Sequence, residues 1–184
     1  MDDKSKKALK GCGIGCFGLI FVIVLLVVVL VSCSVNSEEE EKTFGFKVEN
    51  YEVALKESLS SKNFEIAKWQ REYEENRYNI TLTDGIYAFM FVNDNKEIVK
   101  VNTVASGAAL LVKNKEVMAA FESLIESVDP SLSITQKMTI LDKLGINGQS
   151  NMLDQETSYT LNGIYYLYQG DAESDTMALQ AKPE

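Results

Sequence analysis

RYNITLTDGIYAFMFV, from Arg77 to Val92, reads as two strands joined by a tight turn. Tyr78, Ile80 and Leu82 alternate with polar neighbours, the period of a strand with one face buried. Asp84-Gly85 follows, a dipeptide that tolerates the positive φ of a type I′ turn, and IYAFMFV returns as a buried strand. Asn93 to Lys96 makes a second turn, and EIVKVNT completes a meander with Val99 and Val101 on one face. The pattern then recurs. LTDGIYAFMF from Leu82 and TLNGIYYLYQ from Thr160 share a turn dipeptide followed by Ile and Tyr, and Gly85 and Gly163 stand 78 residues apart. The strand after each hairpin also matches in kind, Val99 and Val101 against Met177 and Leu179.

Helical spacing surrounds these hairpins. Tyr51, Ala54, Leu55, Ser58 and Leu59 fall on one side of a helix, opposite Glu52, Lys56 and Glu57, with Asn50 as its cap. NFEIAKWQREYEEN, with Phe64 and Ile66 alternating, reads as a strand. TVASGAALLV, from Thr103 to Val112, is apolar and small, and its period fits an edge strand, a helix start or a partner surface alike. Val117, Ala120, Phe121, Leu124 and Val128 share a helical face that Asp129-Pro130 ends. Ser133 with Gln136 forms a capping box for a further helix in which Ile134, Met138, Leu141 and Leu144 face inward and Gly145 supplies the stop. The expected fold is α+β: an antiparallel sheet with helices packed on one face; the repeat fits two helix-then-hairpin halves and, equally, unrelated hairpins that share turn chemistry.

Ahead of this domain stands GCGIGCFGLIFVIVLLVVVLVSCSVNS, from Gly11 to Ser37. Its 21 uncharged residues, Gly11 to Val31, would cover roughly 30 Å as a helix, the thickness of a bilayer core. Lys4, Lys6, Lys7 and Lys10 precede it and Glu38 to Glu41 follow it, so the positive-inside bias puts the N-terminus in the cytoplasm and the rest outside. Gly11 and Gly15 have the spacing of a helix-dimer motif, although small residues equally mark the start of a signal or span. The chain thus divides into a basic cytoplasmic head (1–10), a transmembrane helix or lipoprotein signal (11–32), an acidic tether (33–43) and an extracytoplasmic α+β domain (44–184).

Leu30, Val31, Ser32 and Cys33 resemble the lipobox of bacterial lipoproteins: an aliphatic residue at minus three, a small residue at minus one, then the cysteine. The resemblance implies that Cys33 is lipidated and becomes the mature N-terminus. The apolar stretch is longer than the roughly 7 to 15 residues of a signal core, which suits a retained span. Both readings give the same topology, on the outer face of a bacterial cell membrane. LIESVDPSLSITQKMTILDKLGI, from Leu124 to Ile146, together with the final hairpin also resembles small membrane-anchored bacterial proteins of unassigned role, a likeness that brings no activity with it.

Composition excludes several chemistries. The chain holds 18 basic and 27 acidic residues and no histidine, a net charge of −9. The part after Ser32 is more acidic still, which argues against nucleic acid as a partner, since phosphate binding needs a basic patch. The three cysteines are Cys12, Cys16 and Cys33. A Ser-His-Asp or Cys-His site, a His- or Cys-ligated zinc and an internal disulfide of the domain are all ruled out. The sequence carries no Walker, dinucleotide-binding or EF-hand motif, and neither cofactor nor metal is expected. Asp84 and Asp94 are turn formers, while Asp154 and Glu156 read as a polar loop.

The aromatic strands remain. Tyr87, Phe89, Tyr165, Tyr166 and Tyr168, with Phe91, lie where alternate side chains must face away from the core unless a second layer covers them, so they form the candidate binding surface. The expected function is a non-enzymatic, membrane-tethered binding or interaction protein, held through residues 11–33 and engaging a protein or other envelope partner. The alternatives are a carboxylate-dependent cell-wall hydrolase, which needs two acids facing across a cleft, and a carrier holding a hydrophobic ligand between sheet and helices.

Overall fold

The computed structural model describes residues 41–184 apart from 67, 68, 70, 147 and 149. The head, the apolar run, Cys33 and most of the acidic tether therefore lie outside the described residues. Among the described residues no helix is long and apolar enough to cross a membrane.

Seven antiparallel strands form one sheet. They are β1 (Arg71–Glu74), β2 (Arg77–Thr83), β3 (Ile86–Val92), β4 (Ile98–Ser106), β5 (Asp154–Leu161), β6 (Ile164–Asp171) and β7 (Thr176–Pro183), in the spatial order β1-β2-β3-β4-β7-β6-β5. Two meanders, β2-β3-β4 and β5-β6-β7, thus meet at the β4–β7 pair. Ile86 pairs with Ala105, and their counterparts 78 residues on, Ile164 and Pro183, pair in the same way.

The hairpin turns differ in detail. Asn162 and Gly163 both have positive φ, 53° and 73°, so the second turn is the type I′ form. At the first, Gly85 has φ 79° but Asp84 is not left-handed, which corrects the type I′ expectation. A register shift between Thr81 and Thr83 accompanies that turn; a bulge of this kind adds local twist. A second shift, between Phe91 and Val92, changes the face of the residues that follow the next turn. Ile98 is therefore buried beside Val101 while Val99 is only half-buried, contrary to the plain alternation read from EIVKVNT.

Among the described residues four α-helices accompany the sheet: α1 (Val48–Ser61), α2 (Gly107–Val112), α3 (Asn114–Val128) and α4 (Ile134–Lys143). Helix α3 packs on β4 and β7, α1 packs on α3, and α4 packs on α3 and β5. Lys47, and not Asn50, caps α1. The cause lies upstream, where Phe44 donates its N–H to the Ile98 carbonyl and Phe46 accepts from the Ile98 N–H, so residues 44–47 run beside β4 and the chain turns at Lys47. The buried stripe of α1 is Val48, Tyr51, Leu55 and Leu59. TVASGAALLV resolves into the end of β4 and α2, joined at Ser106, whose Oγ accepts the Ala109 N–H. Helix α3 stops at Val128 before Asp129-Pro130, and Ser133 and Gln136 form the reciprocal capping box of α4.

Two expectations fail here. Phe64 and Ile66 precede any strand, since β1 spans only Arg71–Glu74. Ile134 and Met138 are 77% and 60% exposed, and Ile140, Leu141 and Leu144 hold the inward face of α4 instead. The capping box sets where the helix starts, but contact with α3 and β5 sets its rotation.

The core lies between the helices and one face of the sheet. Ile80, Ile86, Ala88, Met90, Val101, Leu179 and Ala181 rise from the strands to meet Leu55, Leu59, Phe121 and Leu124. At about 25 cal/mol per Å² of apolar surface, a dozen such fully buried side chains supply the main stabilisation of a domain without disulfides.

Candidate functional site

The strand register divides the side chains into two faces. Residues paired across neighbouring strands share a face, so the ladder Asn79–Phe89–Asn102–Gln180–Leu167–Ser158 crosses the sheet opposite the helices. Parallel to it run Thr81–Tyr87–Val104–Ala178–Gln169–Glu156 on one side, and on the other Arg77–Phe91–Lys100 and the pair Lys182–Tyr165. No helix packs on this face among the described residues. Its middle is half-buried by its own neighbours, and Tyr87 is 40% exposed.

The aromatic rings are flanked by cations. Lys100 Nζ sits 4.0 Å from the Phe91 ring centre, Lys182 Nζ 5.3 Å from that of Tyr165, and the Arg77 guanidinium carbon 5.6 Å from that of Phe89. Contacts of this kind contribute about 0.5–1 kcal/mol at exposed sites. Between the rings lie amides. Asn79 and Asn102 each bury Oδ1 without a hydrogen-bond partner among the described residues. Apolar rings and cations on one surface can take up a ligand by stacking and by charge-assisted hydrogen bonding together.

Of the five aromatic residues singled out in the sequence, Tyr87, Phe89 and Tyr165 share this face. Tyr166 and Tyr168 do not. Both are fully buried under the helices, Tyr168 edge-on to Phe121 with ring centres 5.9 Å apart, which removes them from the binding surface. The reason is parity: Tyr165 and Tyr166 are neighbours on one strand and point to opposite faces, and Tyr168, two residues beyond Tyr166, shares its buried face. Counting in twos from Tyr87 along β3 gives Phe89 and Phe91, and counting from Tyr165 gives Leu167. Asn102, Gln180, Lys100 and Lys182 carried no such signal, because their place depends on how β4 meets β7.

The candidate acids are dispersed. Asp84 and Asp94 lie in the turns at opposite ends of β3, whose seven residues span roughly 20 Å. Asp154 and Glu156 stand on β5, not in a loop. Elsewhere, Ser58 Oγ lies 3.2 Å from Lys62 Nζ and 3.0 Å from Ser123 Oγ, but Lys62 is ion-paired with Glu126 at 2.5 Å. Lys137 holds the other Glu126 oxygen at 2.7 Å, and the cluster clamps α1, α3 and α4 together. Among the described residues no group of three or more acidic or sulfur ligands is placed to hold a metal ion.

No protein-family model, no curated protein and no solved structure matches this chain.

Proposed function

We propose that this chain is a non-enzymatic binding protein of the bacterial cell envelope, tethered to the outer face of the membrane through residues 11–33, with the sheet face that no described helix covers as its interaction surface. The observation that carries the reading is that face itself, with Tyr87, Phe89, Phe91, Tyr165 and Leu167 set between Asn79, Asn102 and Gln180 on the side of the sheet away from the helices. An apolar patch rimmed with polar groups is what protein and glycan partners use. The apolar run and the Leu30–Cys33 lipobox support the location, with Cys33 as the lipidated residue. The common offset of the two meanders supports a domain built from two related halves, which makes the open face broad and continuous.

Two measurements test it. Intact mass of the membrane-extracted protein is expected to give a diacylglyceryl chain beginning at Cys33, lost in Cys33→Ala; an unprocessed chain beginning at Met1 overturns the lipid attachment. A photo-crosslinking side chain placed at Thr81, Tyr87 or Gln169 of the full-length protein in cells is expected to give one discrete adduct, absent when the group stands at Val53 on α1. Equal labelling from both sides, or none from the open face, overturns the binding surface.

A further inference from the structure

The two edges of the sheet are built differently. At one, β1 has four residues, three of them charged, and Arg71 is drawn toward Glu49 and Glu52 of α1. Short, charged edges of this kind discourage the addition of further strands. At the other, β5 has eight residues, DQETSYTL, paired with β6 along its whole length without a register shift. It holds no proline, lysine or arginine. Its helix-side residues are pinned from beneath, Thr157 Oγ1 donating to the Leu144 carbonyl at 2.7 Å and Gln155 Nε2 to the Gly145 carbonyl at 3.1 Å.

The free backbone groups of this edge can be assigned. Leu161 and Ile164 close the type I′ turn at Asn162-Gly163 and so form a hydrogen-bonded pair. Along an antiparallel ladder such pairs alternate with pairs whose backbone groups turn away. Tyr159, Thr157 and Gln155 therefore bond to β6, while Asp154, Glu156, Ser158 and Thr160 present N–H and C=O outward. All four are exposed, and among the described residues no other backbone group bonds to them.

The side chains of the same four residues lie on the open face and are polarised. Asp154 stands opposite Asp171 of β6, and Glu156 opposite Gln169, which donates to it at 2.8 Å. Neither β5 nor β6 carries a cation, and these three carboxylates have no ion-pair partner among the described residues. Ser158 and Thr160, beside Leu167 and Tyr165, are neutral. Asp171 already accepts from the Glu173 and Ser174 N–H groups and the Ser174 hydroxyl, so Asp154 and Glu156 are the edge carboxylates that a strand bringing cations would pair with.

We propose that β5 is a strand-addition site for an extended cationic segment of a partner protein, which joins as an eighth, antiparallel strand. Its backbone pairs with Asp154, Glu156, Ser158 and Thr160. Lysine or arginine at two positions, two residues apart near its C-terminal end, lie beside Asp154 and Glu156, and small or apolar residues lie beside Ser158 and Thr160. A second copy of this chain fits less well: self-pairing centred on Thr157 places Glu156 against Ser158 and Asp154 against Thr160 of the other copy, and leaves every carboxylate without a cation. The site is separate from the aromatic centre of the open face and does not depend on the lipid anchor.

The test uses full-length protein in lipid nanodiscs and an eight-residue peptide with threonine, threonine, lysine and lysine at alternate positions, in that order, and valine between. Hydrogen exchange is expected to slow at Glu156, Ser158 and Thr160, with affinity about tenfold or more above that of the peptide carrying glutamate for lysine. Ser158→Pro removes one outward N–H at a position where an edge strand accepts proline, and is expected to abolish the protection while the β6 amides stay protected. Glu156→Gln is expected to keep backbone protection and shrink the lysine preference. Equal binding of the two peptides, protection elsewhere than β5, or β5 protection arising only from a concentration-dependent dimer overturns the proposal.

Discussion

Asn102 of β4 lies directly opposite Gln180 of β7, and 78 residues separate the two, the same interval that separates Gly85 from Gly163. The pair that joins the meanders is therefore also a pair of equivalent positions within them. The strand registers on the two sides run symmetrically outward from this pair, so one ladder of side chains continues from β2 to β5.

Three glycines in the hairpins and strands differ in what a methyl group would meet. At Gly163 (φ 73°) a Cβ has nothing within 4 Å, so Gly163→Ala is expected to cost only the left-handed backbone penalty, about 1–2 kcal/mol. At Gly85 (φ 79°) the Cβ also lies 2.8 Å from Ser106 Oγ and 3.1 Å from Ala109 Cβ, disturbing the cap of α2. Gly85→Ala is expected to cost about 1 kcal/mol more. Gly170→Ala is the most severe, since its Cβ would stand 1.8 Å from the Met152 carbonyl oxygen. Urea unfolding of the three variants should rank them in that order.

Acid should weaken the helix layer through Glu126. Burial raises its carboxyl pKa, but hydrogen bonds from Lys137, Lys62 and Ser58 outweigh burial and hold it at about 2 against an ordinary 4.5. A depressed folded-state pKa means stability that is present above the unfolded value and is lost as pH falls from about 4.5 toward about 2. Allowing for solvent screening of a partly exposed cluster, the loss is on the order of 1–2 kcal/mol. Glu126→Gln should lower the unfolding midpoint at pH 7 and flatten its dependence between pH 5 and pH 2. Glu122 nearby has the opposite sign, raised by burial and also by the charge of Glu126, so Glu126→Gln changes both groups and Glu122→Gln is the control that separates them.

What the sequence made legible follows from the range of the forces involved. The capping box at Ser133, the stop before Asp129-Pro130 and the turns at Gly85 and Gly163 are set by neighbours within a few residues, and each appears where the spacing places it. Lys47 displaces Asn50 as a cap because Ile98, 51 residues away in the chain, holds the preceding segment against β4. The division of the aromatics into an open and a buried set was likewise implicit in strand parity, yet which set the helices cover is decided by packing. The amides and cations between the rings were not legible, since the β4–β7 register that assembles them leaves no local mark.

The rotation of α4 can be tested by substitution. Ile134 and Met138 are exposed beside Ile125, Lys137 and Leu141, so Ile134→Ser and Met138→Ser should change stability by about 0.5 kcal/mol or less. Ile140→Ala, at a fully buried position, should cost about 2–5 kcal/mol. Similar losses at Ile134 and Ile140 in chemical unfolding would mean that α4 presents its other side to the core.

Three buried tyrosines provide the sharpest check of the packing, because their rings are equally enclosed while their hydroxyls are not equally satisfied. Tyr168 donates to the Met152 carbonyl at 2.8 Å; the hydroxyls of Tyr51 and Tyr166 have no partner among the described residues. Burial pushes the pKa of all three well above the usual tyrosine value, so each is a neutral phenol and differs only in its bond. Removing a satisfied hydroxyl costs about 1 kcal/mol and strands its acceptor, whereas removing an unsatisfied one takes away a desolvation penalty of about the same size. Tyr168→Phe should therefore lower the unfolding free energy, and it should also loosen the turn at Ser150–Leu153 that Met152 anchors. Tyr51→Phe and Tyr166→Phe should leave stability unchanged or raise it. Urea titration at neutral pH reads all three, and a loss at Tyr51 or Tyr166 matching that at Tyr168 would contradict the difference in hydrogen bonding from which the prediction is drawn.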